Sequence, residues 1–129
     1  MKAMIVSDSE INRWSLVQCL RSQFPGLDFD EARGGAEALV RLRREPCELV
    51  VTGLDMEQGD GIQLIQSLRD DPCFDGTHIL VYSEHLDILV RAVLRRKARV
   101  RLLPRPSSPS ELANAVQSLW AGDPALSVV

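Results

Sequence analysis

Chemistry-bearing residues stand where four apolar runs end. Ala3-Met4-Ile5-Val6 closes on Ser7, Asp8 and Glu10. Leu49-Val50-Val51 stops at Thr52 and Gly53, then opens into a loop holding Asp55 and Glu57, with Asp60 at the start of the next periodic segment. Ile79-Leu80-Val81-Tyr82 finishes on Ser83, and Val100-Arg101-Leu102-Leu103 is broken by Pro104-Arg105-Pro106. In an open α/β sheet, ligands and reactions collect beyond the carboxyl ends of the strands. The candidates at that edge are a carboxylate (Asp8), a hydroxyl (Ser83), a cation (Arg105) and an acidic loop. The run Leu49-Val50-Val51 ends in Thr52 and Gly53, and glycine has no side chain for chemistry.

Other site types fare worse. His78 and His85 flank one strand without cysteine or carboxylate at ligand spacing, so zinc is not expected. Ser83 with His85 lacks an orienting acid and makes no triad. Gly34-Gly35 is too short to cradle phosphate, and no GxGxxG follows the first strand. Cys19, Cys47 and Cys73 are an odd number without CxxC spacing, which implies reduced thiols and a cytoplasmic setting.

The elements that position these residues follow from hydropathy. The chain has 129 residues, 45% hydrophobic and 26% charged, enough for one domain with a core. A net charge of −3 gives no global attraction to nucleic acid or membrane, and no apolar run approaches a membrane span. Short apolar runs at 3–7, 48–52, 78–83 and 100–103 predict strands, with a half-buried or edge strand at 27–32. Helices are predicted between and after them. Ser9 is placed to cap the first, with Leu16, Cys19 and Leu20 facing the core and Trp14 and Val17 on another flank. Ala36, Leu39, Val40 and Leu42 line the second. The third restarts at Gly61 with Asp60 placed as its cap. Ile88, Leu89, Ala92 and Val93 give the fourth its apolar side. Ser108-Pro109-Ser110-Glu111 is a capping box with proline at the first helical position of the fifth, followed by Leu112, Ala115, Val116 and Leu119. Five βα units call for a parallel sheet covered on both faces. Residues 1–121 form the domain, and 122–129, beginning Gly122-Asp123-Pro124, read as a tail or the start of a linker.

These landmarks resemble the receiver domain of bacterial two-component response regulators over residues 3–120. Val6-Ser7-Asp8 stands where that family has its acidic pair. Val50-Val51-Thr52-Gly53 stands where the third strand delivers the phospho-accepting aspartate. Gly59-Asp60-Gly61-Ile62 looks like the loop into helix three, Ser83 like the Ser/Thr ending strand four, and Arg105-Pro106 like the Lys-Pro after strand five. The resemblance implies a flavodoxin-like (βα)5 sandwich with strand order 2-1-3-4-5. It also implies a family chemistry in which a histidine kinase phosphorylates the aspartate with magnesium held nearby.

This sequence departs from that pattern repeatedly. Gly53 replaces the acceptor, Ser7 the first acid, Arg105 the lysine, Glu84 the small residue after the Ser/Thr, and Leu102 the aromatic switch. Asp8, Ser83 and Arg105 are a remnant pocket. Phosphoryl transfer needs an in-line oxygen and two or three anionic ligands for magnesium, so neither phosphorylation at the usual place nor magnesium binding is expected. The expectation is a pseudo-receiver that is no enzyme, needs no cofactor and works through protein partners, as a homodimer or linked to an output domain. The alternative is a phosphorelay receiver using Asp55 as a displaced acceptor. The candidate interface is Arg91, Arg95, Arg96 and Leu102 on helix four and strand five, with Trp14 as a second contact. Nucleic acid is not expected there, because no aromatic is interleaved with the arginines.

Overall fold

A computed structural model describes residues 1–54, 56, 61–84 and 86–120. Five strands, β1 (Lys2–Val6), β2 (Asp28–Ala32), β3 (Leu49–Thr52), β4 (His78–Ser83) and β5 (Val100–Pro104), form one sheet in the order 2-1-3-4-5. All neighbours pair in parallel. Continuous apolarity in β1, β3 and β4 follows from burial on both faces, while β2 and β5 are edges and carry exposed residues. The helices are α1 (Glu10–Gln23), α2 (Gly35–Arg44), α3 (Gly61–Asp70), α4 (Ile88–Leu94) and α5 (Pro109–Trp120), with a 3₁₀ turn at Pro72–Phe74.

The pleat divides the core into two layers. Met4, Val6, Val50, Ile79 and Val81 face one side, under Ala38, Leu42, Leu64, Ile65, Leu68 and Leu94. Ala3, Ile5, Leu49, Val51 and Leu80 face the other, under Val17, Leu20, Leu112, Ala115, Val116 and Trp120. Trp120 docks edge-on against Phe24, at the C-terminal end of α1, with ring centroids 5.3 Å apart.

The caps expected from sequence are present at both ends of the chain. Ser9 Oγ accepts from Asn12 N–H at 3.2 Å. Ser108 and Glu111 exchange bonds reciprocally, N–H to Oε1 at 3.3 Å and N–H to Oγ at 3.2 Å, at the start of α5. The expected Asp60 cap lies outside the described residues.

Three helix faces differ from expectation. In α1 the buried line is Arg13, Val17 and Leu20, with Leu16 and Cys19 half-buried. In α2 it is Ala38 and Leu42, while Ala36 and Val40 are exposed and Leu39 is half-buried. In α4 the expected apolar stripe faces outward: Ile88 is 84% exposed, Leu89 77% and Val93 49%. Val90 and Leu94, one turn apart, hold α4 to the core instead. Trp14 is 63% exposed and Ile11, three residues earlier on the same helix, is 77% exposed. The Trp14 ring therefore faces outward.

Candidate functional site

The C-terminal strand ends bring together Ser7, Asp8, Gly53, Ser83 and Arg105, as the sequence predicts. They line a cavity of about 160 Å³, with Asn12, Leu54, Met56, Tyr82 and Glu84. Parallel pairing sets this convergence. Val6 stands beside Thr52 and Thr52 beside Val81, so β1, β3 and β4 deliver their next residues to one edge. Gly53 N–H donates to Val6 O at 3.3 Å, and Arg105 N–H to Ser83 O at 3.1 Å.

The backbone does not require the glycine at 53. Its φ lies outside the left-handed region, and an added Cβ would meet only Tyr82 O, at 3.8 Å, which is ordinary van der Waals contact. The close approach is made by Gly61. A Cβ there would overlap the Gly53 carbonyl and crowd Leu54 Cα, and Gly61 N–H donates to Leu54 O at 2.9 Å. The glycine that the geometry needs is thus the one opening α3, not the one ending β3.

Around the cavity the polar groups are held by neighbours. Ser83 is buried. Arg105 places its guanidinium over the Tyr82 ring, 5.4 Å from the centroid, and Tyr82 Oη accepts from Ser107 N–H at 3.1 Å. Beneath the β1 loop, buried Arg13 donates through Nη1 to Ser7 O at 2.6 Å and through Nε to Glu31 Oε1 at 3.2 Å. Arg13 and Tyr82 carry no mark in the sequence that separates them from surface arginine and core aromatic. Ser7 Oγ accepts from Ser9 N–H at 3.2 Å. Among the described residues, the acids lining the cavity are Asp8 and Glu84, both exposed. Among the described residues no three His, Cys, Asp or Glu side chains cluster as metal ligands would. Asp55, Glu57 and His85 lie outside the described residues.

The thiols offer no activated nucleophile. Burial pushes Cys47 up to about 11 and raises Cys19, and a hydrogen bond with Asp71 is the main cause raising Cys73.

On the outer face, Arg95 and Arg96 are exposed, and Arg91 is half-buried with Nε donating to Leu86 O at 2.8 Å. Leu102 is half-buried against the core under α4, so it is less a contact residue than a support. Ile88, Leu89 and Val93 add an exposed aliphatic surface that hydropathy alone had turned inward.

The family model "Response regulator receiver domain" matches residues 3–117. The chain belongs to this family. Among curated proteins, this receiver is 29% identical over 123 residues to the transcriptional activator protein ExaE of Pseudomonas putida. The match takes in 95% of the chain but only 56% of that relative's length. Among solved structures, the receiver resembles a response regulator receiver protein from Pseudomonas putida at 26% identity and a TM-score of 0.80, covering 91% of this chain and 95% of the other. The chemotaxis response regulator CheY4 of Vibrio cholerae shares the fold, with a TM-score of 0.80 at 19% identity over 92% and 97% of the two chains. No described helix of the receiver is long and apolar enough to cross a membrane.

Proposed function

We propose that this receiver domain works as a protein-binding module in signal transduction, without phosphoryl transfer at the end of β3. One observation carries the reading: Gly53 ends β3 in an unstrained backbone with room for a Cβ, so its lack of a side chain is a loss of chemistry and not a demand of the backbone. Ser7 removes a second carboxylate, and Arg105 is stacked on Tyr82. Magnesium prefers oxygen ligands in near-octahedral array, anchored by carboxylates. The described oxygen donors at the cavity, the exposed acids Asp8 and Glu84 with the hydroxyls of Ser7, Tyr82 and Ser83, do not fit that demand.

The domain then acts by contact and not by catalysis, in the cytoplasm, through the face of α4 and β5. The curated relative is a transcriptional activator nearly twice as long as the match, which supports an output domain joined beyond residues 122–129. A second copy of the chain is the other partner this reading admits.

The competing reading is a switch phosphorylated at Asp55. Beryllofluoride with magnesium tests it by NMR. The proposed reading expects no shifts localised to the residues around Ser7, Gly53 and Ser83. Shifts at those residues that disappear in Asp55→Ala would overturn it.

A further inference from the structure

The opposite end of the sheet carries a second cavity, of about 450 Å³ against about 160 Å³ at the strand ends. It lies where β4 and β5 begin, because their first residues, His78 and Val100, line it. Ser118 and Leu119, near the end of α5, form its other wall. Two cations line it, Arg99 and Arg101, and among the described residues no acid does. Register explains how they meet. Arg101 stands beside Leu80, which belongs to the layer under α5, so Arg101 projects to that same side.

Arg99 is marked by its backbone. Its φ of 56° is left-handed, a conformation that glycine takes at lower cost, and Arg99 is the one non-glycine residue among those described to adopt it. Its Nη1 donates to Asp75 O at 2.8 Å, which fixes the guanidinium. Arg101 is exposed. Behind them, Arg69 donates through Nη1 to Ala98 O and through Nη2 to Phe74 O and Thr77 O. Burial holds the Arg69 guanidinium below its ordinary value, and the charge of Arg99 acts in the same direction, with Asp75 opposing both. None of the ion pairs among the described residues includes Arg69, Arg99 or Arg101. Positive charge at this end of the sheet is thus held by backbone carbonyls, with no carboxylate paired to it.

We infer that this cavity is a binding site for a small organic phosphate. The inference goes beyond the contact function proposed above and uses neither α4 nor the cavity at Gly53. A guanidinium presents a planar fork of N–H donors that matches phosphate oxygens. Two forks offer more donors than one carboxylate can accept, whereas a phosphate monoester brings three terminal oxygens. Ser118 gives its proton to Ala115 O at 3.0 Å, so the anion falls to the two arginines. Val100 and Leu119, both half-buried, offer an apolar wall to the organic part. The volume lies within the roughly 300–1,000 Å³ of small-molecule sites. No aromatic ring lines the cavity among the described residues, so a nucleobase would find nothing to stack on.

The test titrates the labelled whole chain, by NMR, with ribose 5-phosphate and separately with inorganic phosphate and with succinate. Ribose 5-phosphate should give saturable shifts at the amides of residues 98–101 and 118–119, with a Kd below about 1 mM that weakens as salt rises. Inorganic phosphate should bind the same amides about threefold more weakly or worse, and succinate more weakly again. Arg101→Gln should weaken ribose 5-phosphate by about tenfold, and Arg101→Lys, which keeps the charge without the fork, by less. Arg99→Gly should also cost about tenfold, since glycine accepts the left-handed backbone and removes the guanidinium. Arg101 is exposed, so its variants keep the test open if Arg99→Gly disturbs the fold. The inference is overturned by no saturable shift up to about 10 mM, by affinity unchanged in Arg101→Gln, or by shifts confined to the amides around Ser7, Gly53 and Ser83. Succinate or inorganic phosphate binding as tightly as ribose 5-phosphate would also overturn it. These readouts lie away from Gly53, so failure here leaves the phosphorylation reading to its own test.

Discussion

α4 and α5 lie on opposite faces of the same sheet edge and treat their aliphatic residues in opposite ways. α5 buries Leu112, Ala113, Ala115, Val116 and Trp120 and begins with a reciprocal cap. α4 has seven residues, buries Leu94, and turns Ile88, Leu89 and Val93 to the outside. The apolar content of α5 is explained by the core. That of α4 is not, and it stands next to Arg91, Arg95 and Arg96, which join none of the ion pairs among the described residues. A solvent-facing helix with no partner has no need of three aliphatic side chains, whereas an interface does. The contrast supports the proposed contact surface on the outside of the sheet edge, while the described groups of the strand-end cavity are a reduced set.

The largest effect should come from core and surface leucines of α4 itself. Leu94→Ala should lower unfolding free energy by about 2–5 kcal/mol, because Leu94 is fully buried. Leu89→Ala should change it by about 0.5 kcal/mol or less. Denaturant unfolding measures both, and a cost at Leu89 equal to that at Leu94 would mean that α4 packs its outer face on the domain.

A smaller effect sharpens the charge side of the comparison. On α2, Arg41 pairs with Glu37 at 3.1 Å and Asp30 at 3.2 Å. The Glu37 carboxyl lies below the ordinary carboxylate range, chiefly because it accepts from Arg33 N–H. An acid depressed in the folded state stabilises above its unfolded pKa, and that contribution is lost as pH falls through the folded value. Glu37→Gln should therefore cost under about 1 kcal/mol at neutral pH and nothing in strong acid. Thermal melts across that range check it, and an undiminished difference in acid would contradict the assignment.

The order of elements, their approximate bounds and the capping box at Ser108 were legible in the sequence, because each is local. Helix orientation was less so. In α1 the buried line begins with Arg13, whose charge hides it from hydropathy while its bonds to Ser7 and Glu31 make burial possible. In α2 the inward residues are Leu42, which periodicity includes, and Ala38, smaller than the Leu39 and Val40 that periodicity favours. In α4 apolar residues lie on nearly every side, so hydropathy cannot choose, and packing selects Val90 and Leu94. The strand-end positions Asp8, Gly53 and Ser83 were legible because parallel strands expose their ends together. The stacking of Arg105 on Tyr82 was not, since it depends on the turn after β5. That Gly53 has space for a Cβ is a property of the packing around the strand end and leaves no mark in the sequence.

Acetyl phosphate with magnesium, read by intact mass, tests the central claim most directly when the natural chain is compared with Ser7→Asp/Gly53→Asp. A Cβ at position 53 makes only ordinary van der Waals contact, and the pair restores two carboxylates beside Asp8. The account predicts no phosphoryl mass gain on the natural chain and a gain, labile as an acyl phosphate, on the double variant. A gain on the natural chain as large as on the variant would contradict it.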